Sequence, residues 1–112
     1  MPHPVGSYLA AALILVAAAG LEVGGDAAIR AGLRARDGWL VALGGAILAA
    51  YGLVVNLVAW DFARLLGTYV AVFAVVAVLV GRFGFGDPVP RSTWVGLALI
   101  ALGGAIIQLG AR

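Results

Sequence analysis

The stretch "AAAGLEVGGDAAIRAGL", Ala17 to Leu33, is nearly all small and apolar, yet it holds Glu22 and Asp26 one helical turn apart. Working outward, the apolar run begins near Ser7 and continues to Ile29, and about 20 such residues cross the roughly 30 Å of hydrocarbon in a bilayer. Three more runs of this kind follow, at Trp39–Ala59, Leu65–Phe83 and Ser92–Leu109. They are separated by "RAGLRARDG" (Arg30–Gly38), "WDFAR" (Trp60–Arg64) and "GFGDPVPR" (Gly84–Arg91). The last of these, with its prolines, glycines and aspartate, is a strong turn signal. Runs this long exceed barrel strands, and lipid demands that every backbone group be satisfied internally, so the spans are helices. The expected fold is an all-α membrane protein, a single four-helix transmembrane domain over residues 1–112 with helices at about 7–29, 39–59, 65–83 and 92–109.

Composition agrees. Of 112 residues, 64% are hydrophobic and 11% charged, against roughly half and a quarter in soluble domains. A short soluble chain has too much surface to keep wet for such an excess. The absence of cysteine rules out disulfides and thiol chemistry. His3 is the single histidine, so a histidine-rich metal site is impossible, and no metal or cofactor is expected. Seven arginines, no lysine and five acids give a net charge of +2, too little for a nucleic-acid binder. The first twenty residues lack Lys and Arg, so they do not read as a cleaved signal peptide. The tryptophans Trp39, Trp60 and Trp94 all fall at span ends, as the interfacial aromatic belt requires. An enzyme is not expected, and the bilayer itself is the first partner, in the inner (cell) membrane of a bacterium or archaeon.

The seventeen glycines sit mostly inside spans. Gly96 and Gly103, seven apart in "GLALIALGG", share a helix face, with Gly104 beside them, and small faces let helices approach closely in lipid. Four helices make a thin bundle for shielding a polar cavity, so an oligomer is expected, while each glycine pair also reads as packing within one chain.

The carboxylates are the costly feature. An acid at a span centre costs about 3 kcal/mol on insertion scales. Asp26 precedes Arg30 by four residues, the order that favours an ion pair, and either anchors the helix at the membrane edge or serves function. Glu22 is two turns from Arg30, and no other cation lies inside a span. Desolvation there favours the protonated carboxyl, so Glu22 holds a proton until a cation replaces it. Tyr51, Asn56 and Tyr69 are the remaining polar groups suited to line a cavity facing Glu22. Each also reads as a helix–helix hydrogen bond. Gln108 reads as interfacial, and Thr68 as the opening of the third span.

These residues carry a resemblance. "LEVGGDAAIR" (Leu21–Arg30) resembles the helix-one motif A-E-[VI]-x-G-x-x-x-[LM]-K of the small multidrug resistance family, within the drug/metabolite transporter superfamily. Glu22 stands on the glutamate, Gly25 on the glycine and Arg30 on the lysine. "GLALIALG" (Gly96–Gly103) matches the helix-four signature G-x-x-L-I-x-x-G, and Phe85 and Gly86 match the preceding turn. Along helix three, Tyr69 stands where the family has tryptophan, Leu66 where it has tyrosine and Ala71 where it has glycine; Asp26 is extra. These departures draw the chain toward the small YnfA-like membrane proteins. The resemblance implies a homodimer packed through helix four and proton-coupled efflux of a small cationic solute. Protons are then the coupling ion, and Glu22 exchanges proton for substrate beside Asp26, Tyr69, Tyr51 and Asn56. Gly81 and Gly84, near the end of helix three, are candidate hinges. The other readings are a non-transporting scaffold or accessory subunit of the same fold, and a translocator of lipids or lipid carriers. Five arginines flank the first and third loops against two on the opposite side. That places both termini outside by the positive-inside rule, while the family implies an antiparallel dimer.

Overall fold

The structure, a computed structural model, describes residues 5–110, with side chains from Tyr8 onward. His3 and Arg112 lie outside the described residues. Four helices follow one another, α1 (Val5–Ala35), α2 (Gly38–Val55), α3 (Phe62–Leu79) and α4 (Arg91–Gly110). A π-helical turn, Val80–Gly84, extends α3. The segments Tyr8–Ala35, Gly38–Val55, Phe62–Gly84 and Arg91–Gly110 are each long and apolar enough to cross a membrane. The all-α expectation therefore holds, and the chain is a multi-pass membrane protein. The helices form two compact units, one ending at Val58 and the other starting at Ala59. Each unit is an antiparallel helical hairpin.

The boundaries differ from the sequence reading in ways that local chemistry explains. Arg30–Ala35 is helix rather than loop, because "RAGLRA" is rich in Arg, Leu and Ala, all good helix formers. Arg34 in the last turn also suits the helix dipole. The true connection is Arg36 and Asp37. Arg36 takes the left-handed conformation (φ 53°), and the Asp37 amide donates to the Gly32 carbonyl at 2.8 Å. This is the six-residue closure that ends helices. The Asp37 carboxylate then accepts from the Trp39 amide at 3.0 Å and the Leu40 amide at 3.4 Å, capping α2. One aspartate thus ends one helix and starts the next.

α2 stops at Val55, four residues before the expected Ala59. Asn56 turns its side-chain amide back onto the Gly52 carbonyl at 2.7 Å, competing with the helical ladder as short amide side chains do. α3 starts three residues before the expected Leu65, with the Leu65 amide donating to the Asp61 carbonyl at 2.8 Å. The "GFGDPVPR" turn forms as expected. Gly86 supplies a left-handed residue (φ 69°), the Asp87 amide donates to the Gly81 carbonyl at 2.9 Å, and the Pro90 carbonyl accepts from the Thr93 amide at 3.0 Å.

Large apolar side chains such as Leu9, Leu13, Leu53, Leu99 and Ile106 are exposed, while Ala11, Ala18, Ala19 and Ala71 are buried beside Leu15, Val55, Val58, Leu65 and Tyr69. In lipid, large apolar groups cost nothing outside, and close packing needs small ones inside.

Candidate functional site

The first hairpin is closed by glycines. A Cβ at Gly44 would lie 2.7 Å from the Gly25 carbonyl oxygen and 2.9 Å from the Ile29 nitrogen. One at Gly25 would meet Leu48 at 2.9 Å, and one at Gly32 would meet the Val41 nitrogen at 2.8 Å. At Gly44 and Gly32 backbone atoms leave room for hydrogen alone, and at Gly25 the Leu48 side chain and the Gly44 carbonyl oxygen, at 3.0 Å, crowd the same place.

The same contacts fix the register. Gly32 faces Val41, Ile29 faces Gly44, and Gly25 faces Leu48. Each backward step of three or four along α1 is matched by a forward step of three or four along α2, the spacing by which a helix keeps one face on its neighbour. The next step of three brings Glu22 opposite Tyr51, and a further step of four brings Ala18 opposite Val55. Ala18 and Val55 are buried, at 0% and 2% exposure, as a continuing seam requires. Glu22 and Tyr51 are both half-buried. A glycine-tight crossing thus holds a carboxyl group and a hydroxyl at one level inside the span. A phenol beside a carboxyl can donate to it when it is ionised and leave it when it is neutral or cation-bound.

The other expected site residues are placed differently. Asp26 is exposed, as is Arg30; it flanks the seam one turn closer to the arginine-bearing end of α1. Asn56 is exposed and occupied with the Gly52 carbonyl, so its amide serves to end α2. Tyr69 belongs to the second hairpin, is 3% exposed, and has its ring 6.3 Å from that of Phe73 one turn on. Among the helix-four glycines, Gly96 and Gly103 have open space where a Cβ would stand, with nothing within 4 Å, whereas at Gly104 that place is closed by the Ala71 methyl group. Gly104 therefore serves the packing of α3 against α4 within one chain. Among the described residues no group of three or more His, Cys, Asp or Glu could hold a metal ion.

Sequence reasoning missed a polar cluster in the second hairpin. The Arg64 guanidinium lies over the Trp60 ring at 4.2 Å. Its Nε donates to Gln108 Oε1 at 3.3 Å, and the Thr68 hydroxyl donates to the same oxygen at 3.5 Å. Arg64 and Thr68, four residues apart, are legible as one face of α3, and Trp60 stands just before that helix. Nothing in the sequence points to Gln108, forty-four residues beyond Arg64, as their partner.

A family model described as "Uncharacterised BCR, YnfA/UPF0060 family" matches residues 8–112. No curated protein and no solved structure matches the chain.

Proposed function

The chain belongs to the YnfA/UPF0060 family, and on that premise we propose that this multi-pass membrane protein exports a small cationic solute in exchange for protons. The mode of action is that of the small multidrug resistance family, in the cell membrane. The observation that carries the reading is the level of Glu22: inside a span, half-buried, on a seam made rigid by Gly25 and Gly44, opposite Tyr51. A carboxyl group kept at that depth costs stability, and exchange chemistry is a reason to keep it. One carboxyl group holds a proton or a cation but not both, and that exclusion couples the two fluxes. Tyr51 steadies the ionised form during the exchange, and Asp26, exposed one turn away, gives an arriving cation its first carboxylate. The working unit is a homodimer packed through α4, where Gly96 and Gly103 present an open small-residue face.

The test is proton release from detergent-purified protein titrated with a panel of small cations, guanidinium among them. Wild-type protein acidifies an unbuffered solution on binding, and E22Q releases no protons. Y51F still releases protons, at about five-fold weaker apparent affinity, the worth of one hydrogen bond. Substrate-driven release by E22Q equal to wild type would rule the exchanger out. No release by wild-type protein with any cation of the panel would leave the scaffold reading in its place.

A further inference from the structure

The cluster around Arg64 has no part in cation exchange, and its chemistry is of the opposite sign. Arg64 lies in the first turn of α3, at the end of the membrane-crossing segment Phe62–Gly84. An arginine at a membrane edge is ordinarily a mobile anchor whose stem lies along apolar surface while its head reaches for water. Arg64 is held instead. One face of the guanidinium is stacked on Trp60 at 4.2 Å, and its Nε edge is fixed on Gln108. Gln108 is itself held by the Thr68 hydroxyl, so two helices and three side chains set the orientation of one guanidinium. Trp60 and Gln108 are both neutral. They orient the charge and do not balance it, and the outer edge of the guanidinium, with its Nη donors, is the part they leave to other partners.

A planar fork of this kind matches the oxygens of a phosphate group. At this depth phosphates belong to lipid headgroups. Side-chain freedom already lost to Trp60 and Gln108 is not lost again on binding, which favours affinity.

We propose that Arg64, oriented by Trp60 and Gln108, forms a binding site for the phosphate oxyanion of an anionic phospholipid. The site lies wholly within the second hairpin and does not depend on whether the protein transports.

The experiment is thermal unfolding of the full-length protein in neutral detergent, titrated separately with short-chain phosphatidylglycerol, inorganic phosphate and diacylglycerol. Phosphatidylglycerol raises the midpoint of wild-type protein saturably. R64Q needs about ten-fold more lipid for the same response, as expected for loss of a charge-assisted bidentate contact. R64K keeps the charge without the fork and falls between the two. R91Q, which removes an exposed arginine at the start of α4, responds as wild type. A shift with inorganic phosphate that shares the Arg64 dependence supports the oxyanion site and identifies a free anion as a second source. Equal responses of wild type, R64Q and R64K, or an equal shift with phosphate-free diacylglycerol, would overturn the proposal.

Discussion

The two hairpins close by different means. Between α1 and α2 the obstacles to any side chain at Gly44 are the Ile29 side chain and, behind it, backbone, the Gly25 carbonyl oxygen and the Ile29 nitrogen. Between α3 and α4 the obstacle at Gly104 is one methyl group, that of Ala71. A backbone contact cannot be trimmed, so the first hairpin has a single fixed register. A methyl contact can be trimmed by substitution, so a change in the second seam can be repaired from its partner helix. The polar groups follow this difference. The costly carboxyl group, Glu22, sits mid-span on the rigid seam. The polar cluster of the second hairpin sits at its end, where water and headgroups share the cost of hydration.

The sharpest way to break this comparison is Gly44→Ala. It should destabilise the protein by about 3 kcal/mol, the upper end for overpacking, and no second change at a side chain should restore it. Gly45→Ala, next to it and with nothing within 4 Å, should be neutral or slightly stabilising in the same denaturation series. Gly104→Ala should cost about 2 kcal/mol, and here Ala71→Gly in the same chain should recover most of the loss. If Gly44→Ala were rescued by trimming Leu48 or Ile29, the backbone reading of the first seam would be wrong. A smaller effect tests how the first hairpin is tied at its turn. Asp37→Ala removes the cap of α2 and should cost about 1 kcal/mol, with Asp37→Asn retaining most of the stability. The smallest effect is expected from Asn56→Ala, at about 0.6 kcal/mol. Because its amide ends α2 and faces outward, the same variant should leave cation-induced proton release unchanged, and a loss of release would return Asn56 to the site.

Much of the fold was legible because lipid imposes a length and a polarity on each span. The four segments and the "GFGDPVPR" turn follow from that. The errors cluster at the ends, where hydropathy is silent. "RAGLRA" is too polar to be counted as span, yet its residues favour helix, and hydrogen bonding at Arg36 and Asp37, not hydropathy, ends it. Asn56 reads as a cavity lining by its polarity, and the structure adds that one N–H of its amide is given to the Gly52 carbonyl at the end of α2. In the candidate site, Glu22 stood out from its cost alone. Tyr51 and Asn56 read alike along the chain, and it is the glycine register that separates them and places Tyr51 opposite Glu22.

By itself the sequence determined the solvent of this protein, the number of its spans and the acid that stands mid-span. Those properties depend on composition along a line, and lipid reads them segment by segment. Tertiary structure decided which residue faces Glu22, that Gly104 packs within its own chain while Gly96 and Gly103 stay open, and that Arg64 is held by Gln108. Such pairings depend on where two helices touch, and that contact is set by the few places where a hydrogen fits and a methyl group does not.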